Sequence, residues 1–163
     1  MRILGQRGFT FMEVTIVMVL AGVVTLGLVG FYLNSQALWI DGSAQALAQR
    51  DGTTLVESIS AKTRGAATAG VFPMPPDGLN HQLILWDGNG DEICQFLWDA
   101  SDSLVHQHEG GADKGPIVPS IVERFSLSVD PTLPLVHLDS LRVRSSAGRR
   151  VALSSAFALH NHP

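Results

Sequence analysis

The polarity of this chain changes abruptly near residue 40: 25 of the first 40 residues are apolar, against 49 of the remaining 123. No residue from Val14 to Ile40 is charged, and the stretch Val14 to Leu33 holds 15 apolar residues in 20. A helix needs about 20 residues to cross a hydrocarbon core of roughly 30 Å, so the run predicts a membrane-spanning helix. Its other members, Thr15, Gly22, Thr25, Gly27 and Gly30, are small or can bond back to the helix, which membrane helices tolerate. Arg2 and Arg7 precede the run and the next cation is Arg50, which places the N-terminus on the cytoplasmic side. Ser35-Gln36-Ala37 imitates the cleavage site of a secretory signal, but the apolar run is longer than the roughly 7–15 residues such a signal carries.

Beyond the run, residues 34–66 contain no proline and carry Ile40, Ala44, Leu47, Leu55 and Ile59 at spacings that mark one helical face. They predict an amphipathic continuation of one helix from about Phe9 to Gly65. Because Gly42 and Gly52 weaken it, a break near Asp51-Gly52 is the alternative. Pro73, Pro75 and Pro76 end the helical region and open a loop. From His81 the period shortens to that of strands. Gln82–Trp86, Glu92–Trp98 and Ser103–His108 read as a meander with turns at Asp87-Gly88-Asn89-Gly90 and near Ala100–Asp102. Ile117–Val122 reads as a short strand or turn and Arg124–Val129 as a strand. A last hairpin pairs about Leu135–Arg144 with Arg149–Leu159. Its apolar phase slips from Val136/Leu138 to Leu141/Val143, predicting a β-bulge at Asp139-Ser140. The fold class expected is α+β: a long N-terminal helix, membrane-spanning in its first half, packed on a C-terminal antiparallel β-sheet head in residues 67–163.

At 163 residues the chain has room for one globular domain with an appendage, which excludes the larger two-domain enzyme classes. A net charge of −4 gives no support to a nucleic-acid binder. Cys94 is the lone cysteine, which excludes an internal disulfide and any multi-cysteine zinc site. No G-x-S-x-G, H-E-x-x-H, phosphate loop or dinucleotide fingerprint occurs, so no catalytic residue and no cofactor is expected. Asp87, Asn89 and Asp91 have the spacing that begins a calcium loop, but Trp98 stands where its twelfth-position acid belongs, and a tight hairpin explains the same residues. His106/His108 and His160/His162 are pairs two apart that could hold zinc or copper; without a third ligand at fixed spacing they read as exposed. Cys94 shares a strand face with Phe96 and Trp98 and reads as a buried thiol. Arg142, Arg144, Arg149 and Arg150 gather at a hairpin tip that reads as a solvated turn, with an acidic partner, anionic headgroups or DNA as the functional alternative.

Glu13 stands at the front edge of the apolar run. A carboxylate there is costly and calls for a partner or a task. The short basic leader ending in Arg7-Gly8, followed by Phe9-Thr10-x-x-Glu13 and about 20 apolar residues, resembles the processing signal of type IV prepilins and type II secretion pseudopilins. Phe11 and Met12 replace the usual aliphatic pair, and the span lacks the helix-bending proline of major pilins, so the likeness is greatest to a minor pilin or minor pseudopilin. The resemblance implies that residues 1–8 are a leader, that prepilin peptidase cuts between Gly8 and Phe9 and methylates the Phe9 amine, and that residues 9–33 form the membrane and assembly helix. It also implies partners: fellow pilins through that helix and an inner-membrane assembly platform. The expected location is the inner membrane, single-pass, with the head outside. Cleavage leaves an amine one helical turn from Glu13, and in an apolar bundle that carboxylate can neutralise the amine of a neighbouring subunit. The alternative is a membrane-anchored extracytoplasmic enzyme or binding module, for which the helix is only a tether.

Overall fold

The structure, a computed structural model, describes residues 10–75, 78–145 and 147–159. The chain has an α+β architecture: a helix α1 (Phe11–Thr63), then eight strands in two antiparallel sheets. Strands β1 (Thr68–Met74), β2 (Asn80–Trp86), β3 (Glu92–Asp99), β4 (Leu104–Glu109) and β5 (Ala112–Pro116) follow one another across a five-stranded meander. Strands β6 (Ile121–Val129), β7 (Leu135–Arg144) and β8 (Arg150–Ala158) form a three-stranded sheet. The chain divides into two compact units, Met1–Ile40 and Asp41–Pro163.

In the second unit α1 lies on the sheets through Ala44, Ala48, Asp51, Gly52, Leu55, Ile59 and Thr63. The helix is unbroken at Asp51-Gly52, and Gly52 has a packing role. A Cβ there would lie 2.6 Å from Leu153 Cδ1 and 3.6 Å from Val143 Cγ2, so the missing side chain lets α1 approach β7 and β8. Two members of the expected apolar face are displaced: Ile40 and Leu47 are exposed, and the small Ala48 takes the buried place. A seam of small residues permits close approach, which bulkier side chains at the same spacing would prevent. Asp51 is buried among them and accepts a 2.6 Å hydrogen bond from the Ser120 hydroxyl and a 3.3 Å bond from Arg50.

The core that α1 covers is built by period-two alternation. Leu83 and Leu85 on β2, Cys94, Phe96 and Trp98 on β3, and Phe125 and Leu127 on β6 all face it. On β7 the pairing with β8 slips between Leu138 and Leu141, so the bulge lies at Asp139-Ser140 and keeps Val136, Leu138, Leu141 and Val143 all inward. A second slip, between Val122 and Arg124, joins into one strand what the sequence pattern divides in two, and Ile117–Ser120 lies outside it. Two strands were not anticipated. β1 occupies the stretch read as the start of a proline loop, and β5 carries no apolar alternation. Both are edge strands, where the ladder bonds on one side only and a proline such as Pro73 is tolerated.

The two sheets meet through side-chain bonds and one backbone bond from β6 to the β3–β4 turn. Asn80 Oδ1 accepts from the Phe125 backbone N–H and His81 Nδ1 from that of Leu127, both at 2.7 Å. Trp98 Nε1 donates to the Val122 carbonyl at 2.9 Å, and Val122 N–H donates to the Ser103 carbonyl at 2.8 Å. The outer edge of β6 is thereby closed without a backbone ladder.

Candidate functional site

The first unit offers an apolar helical surface that is open to solvent among the described residues. Every residue from Thr10 to Ile40 is exposed, although the run is long and apolar enough to cross a membrane. Burying apolar area contributes about 25 cal/mol per Å², so a surface this apolar calls for lipid or other helices around it. Thr15 and Thr25 donate to the Phe11 and Ala21 carbonyls at 2.9 and 2.7 Å, hiding their hydroxyls against the helix. Tyr32 and Trp39 stand towards the far end of the run, where amphipathic rings suit a membrane–water boundary.

Glu13 lies in the first turn of α1, and Thr10 precedes the helix. The Thr10 backbone N–H and hydroxyl donate to Glu13 Oε2 at 2.8 and 3.0 Å, while Glu13 N–H donates to Thr10 Oγ1 at 3.3 Å. This reciprocal arrangement is a capping box, which satisfies backbone donors that a helix start otherwise leaves open. Thr-x-x-Glu before an apolar run is its sequence signal. Gly8 and Phe9 lie outside the described residues.

The other sequence candidates separate. Asp87 Oδ1 accepts from the backbone N–H groups of Asn89 and Asp91 at 2.8 and 2.9 Å, and these bonds, Asp91 first, hold its carboxyl below the usual carboxylate range. The calcium-like spacing is spent on shaping a hairpin whose Gly90 adopts φ +89°, a conformation that glycine enters without steric cost. Cys94 is buried, and burial above all pushes its thiol up to about 11, which leaves it unreactive near neutrality. Three of the four tip arginines form ion pairs, with two carboxylates between them. Arg144 and Arg150 pair with Glu123, at 3.2 and 3.0 Å, and Arg149 pairs with Asp41. The tip is therefore a solvent-exposed ion-pair network with four arginines to two carboxylates. His160 and His162 lie outside the described residues.

His106 and His108 belong to a cluster that spacing alone did not reveal. His106 Nε2 lies 2.9 Å from Asp102 Oδ2 and its Nδ1 lies 3.3 Å from Asp113 Oδ2, while His108 Nε2 is 3.8 Å from Asp113 Oδ1. Asp99 completes the group, with potential ligand atoms of Asp99, Asp102 and His106 all within 4.8 Å of one another. The His106 side chain is only 15% exposed. The bond to Asp102 holds its pKa above the ordinary imidazole range, opposed by partial desolvation and helped by Asp113. The Gly115 backbone N–H, bonded to Asp113 Oδ1 at 2.7 Å, holds the Asp113 carboxyl low. The signal that could have found this group is D-x2-D-x3-H over a hairpin turn; Asp113 comes from β5, which the pattern hid.

No protein-family model, curated protein or solved structure matches this chain. Fold, site geometry and sequence signature therefore carry the functional reading by themselves.

Proposed function

We propose that this chain is an assembly subunit of a type IV pilus or type II secretion pseudopilus, in the role of a minor pilin or minor pseudopilin. The observation that carries the reading is a helical surface, exposed on all sides and free of charge for 27 residues from Val14 to Ile40, that is headed by the carboxylate of Glu13. Prepilin peptidase cuts between Gly8 and Phe9 at the cytoplasmic face and methylates the Phe9 amine. The helix, anchored in the inner membrane with the β-rich head outside, then passes into a bundle of fellow pilins driven by the assembly platform.

Within a bundle, the Phe9 amine of one subunit and Glu13 of its neighbour neutralise each other, because an unpaired charge in an apolar medium is the expensive state. The capping box supports this. Thr10 engages Glu13 Oε2, so the carboxylate is held near the helix start before a neighbour arrives, and its second oxygen can receive the incoming amine. The function is mechanical, with no catalytic step and no cofactor.

Co-expression with a prepilin peptidase, followed by mass spectrometry of the mature N-terminus, tests the reading. A protein beginning at N-methylated Phe9 is expected. An intact Met1, or cleavage near Ala37, overturns it in favour of a plain anchor or a secretory signal.

A further inference from the structure

We propose that the β3–β4 hairpin binds one divalent transition-metal ion, Zn²⁺ by its chemistry, through Asp99, Asp102 and His106, with Asp113 orienting the histidine from behind. This inference is independent of the pilin reading. Asp99 ends β3, Asp102 lies in the turn and His106 is the third residue of β4, so the three ligands sit on a short, paired framework. The Asp99 and Asp102 Oδ1 atoms accept the Ser101 and Leu104 backbone N–H groups at 2.7 and 2.9 Å. Each carboxylate is thus fixed by one oxygen. Asp102 presents the other to His106 Nε2.

Zn²⁺ bonds of about 2.0–2.1 Å at tetrahedral angles separate neighbouring ligand atoms by roughly 3.3 Å. The present spread, from a 2.9 Å contact to an outer limit of 4.8 Å, brackets that value, so small side-chain movements suffice. The imidazole nitrogen discriminates the ion. Calcium and magnesium take oxygen ligands, whereas zinc accepts nitrogen and carboxylate together and keeps a fourth position for water. Asp113 on Nδ1 supplies what metal-binding histidines usually have, a carboxylate on the second ring nitrogen that fixes the tautomer. Charge gives a further argument. Three carboxylates face two imidazoles, His106 and, against Asp113, His108, and among the described residues no lysine or arginine forms an ion pair with Asp99, Asp102 or Asp113. Asp99 and Asp102 share the His106 ring, and a dication between them meets that deficit more fully than one protonated ring does.

The test uses the full chain in detergent, carrying His160→Gln and His162→Gln so that the terminal pair binds no metal, stripped with chelator and titrated with Zn²⁺ by calorimetry and elemental analysis. One ion per chain is expected, with little competition from Ca²⁺. Asp113→Asn should weaken binding by about 10–100-fold, and His106→Gln or Asp102→Asn by more than that. Zn²⁺ should raise the thermal midpoint of the parent and leave that of His106→Gln unchanged; metal-free midpoints of the variants verify that each folds. Absence of a stoichiometric ion in the parent, or undiminished binding by His106→Gln, overturns the proposal. So does loss of binding in His108→Gln with retention in Asp99→Asn, which would place the ion against Asp113 instead.

Discussion

The two parts of α1, Phe11–Ile40 and Asp41–Thr63, share one backbone conformation and almost nothing else. The first is apolar on every side and exposed throughout, and a Cβ added at Gly22, Gly27 or Gly30 would meet nothing within 4 Å. The second buries a narrow seam of small and apolar residues, and at Gly52 an added Cβ would strike Leu153. The difference shows that helical structure is local, while what holds a helix in place is decided by each face and its surroundings. The second part is stabilised by the head it covers. The first is exposed along its described length and is apolar enough to cross a membrane.

This contrast can be broken most forcefully at matched leucines. Leu55 is fully buried and Leu26 is 75% exposed. Leu55→Ala should destabilise the head by about 2–5 kcal/mol, read by denaturant unfolding in detergent, whereas Leu26→Ala should leave that transition in place. Matched glycines come next. Gly52→Val should cost about 1–3 kcal/mol through overpacking against Leu153, while Gly27→Ala should leave head unfolding unchanged and raise helicity of the first part, measured by circular dichroism. Equal losses at both glycines would erase the distinction. Asn80→Ala should cost about 1–3 kcal/mol, because Asn80 is buried and its loss strands the Phe125 backbone N–H.

The smallest effect concerns pH and should be confined to the head. Asp130 is held below the usual carboxylate range by the Thr132 backbone N–H, then by the Thr132 hydroxyl and the Leu133 N–H. A lowered folded pKa means that the unfolded chain binds protons first as pH falls. The contribution is therefore complete above the unfolded value of about 3.9 and is lost on acidification through the folded value. Asp130→Asn should flatten the acid limb of head stability without altering the helicity of the first part.

Much of this was legible in the sequence where a single period governs a segment. The charge-free run, the inward set Cys94, Phe96 and Trp98, and the slip at Asp139-Ser140 all depend on neighbours along the chain. What escaped depends on contacts across it. Gly52 reads as a weak point in a helix until Leu153 is beside it, 101 positions later in the chain. Asp51 meets Ser120 over a separation of 69 residues, for which no spacing rule exists. β1 and β5 are supported by one neighbour each and need little apolar alternation of their own. In the hairpin cluster, Asp99, Asp102 and His106 were within reach of a spacing argument, but Asp113 enters through β5 and could not be placed without it.

The side-chain closure of β6 has a consequence for how the head fails. Asn80 and His81 occupy the Phe125 and Leu127 N–H groups that a neighbouring strand would otherwise use. If the β1–β2 hairpin detaches, those donors become a bare edge able to template pairing with another chain. Self-association is then governed by a local opening, far smaller than global unfolding, and two polar side chains act as the safeguard against it.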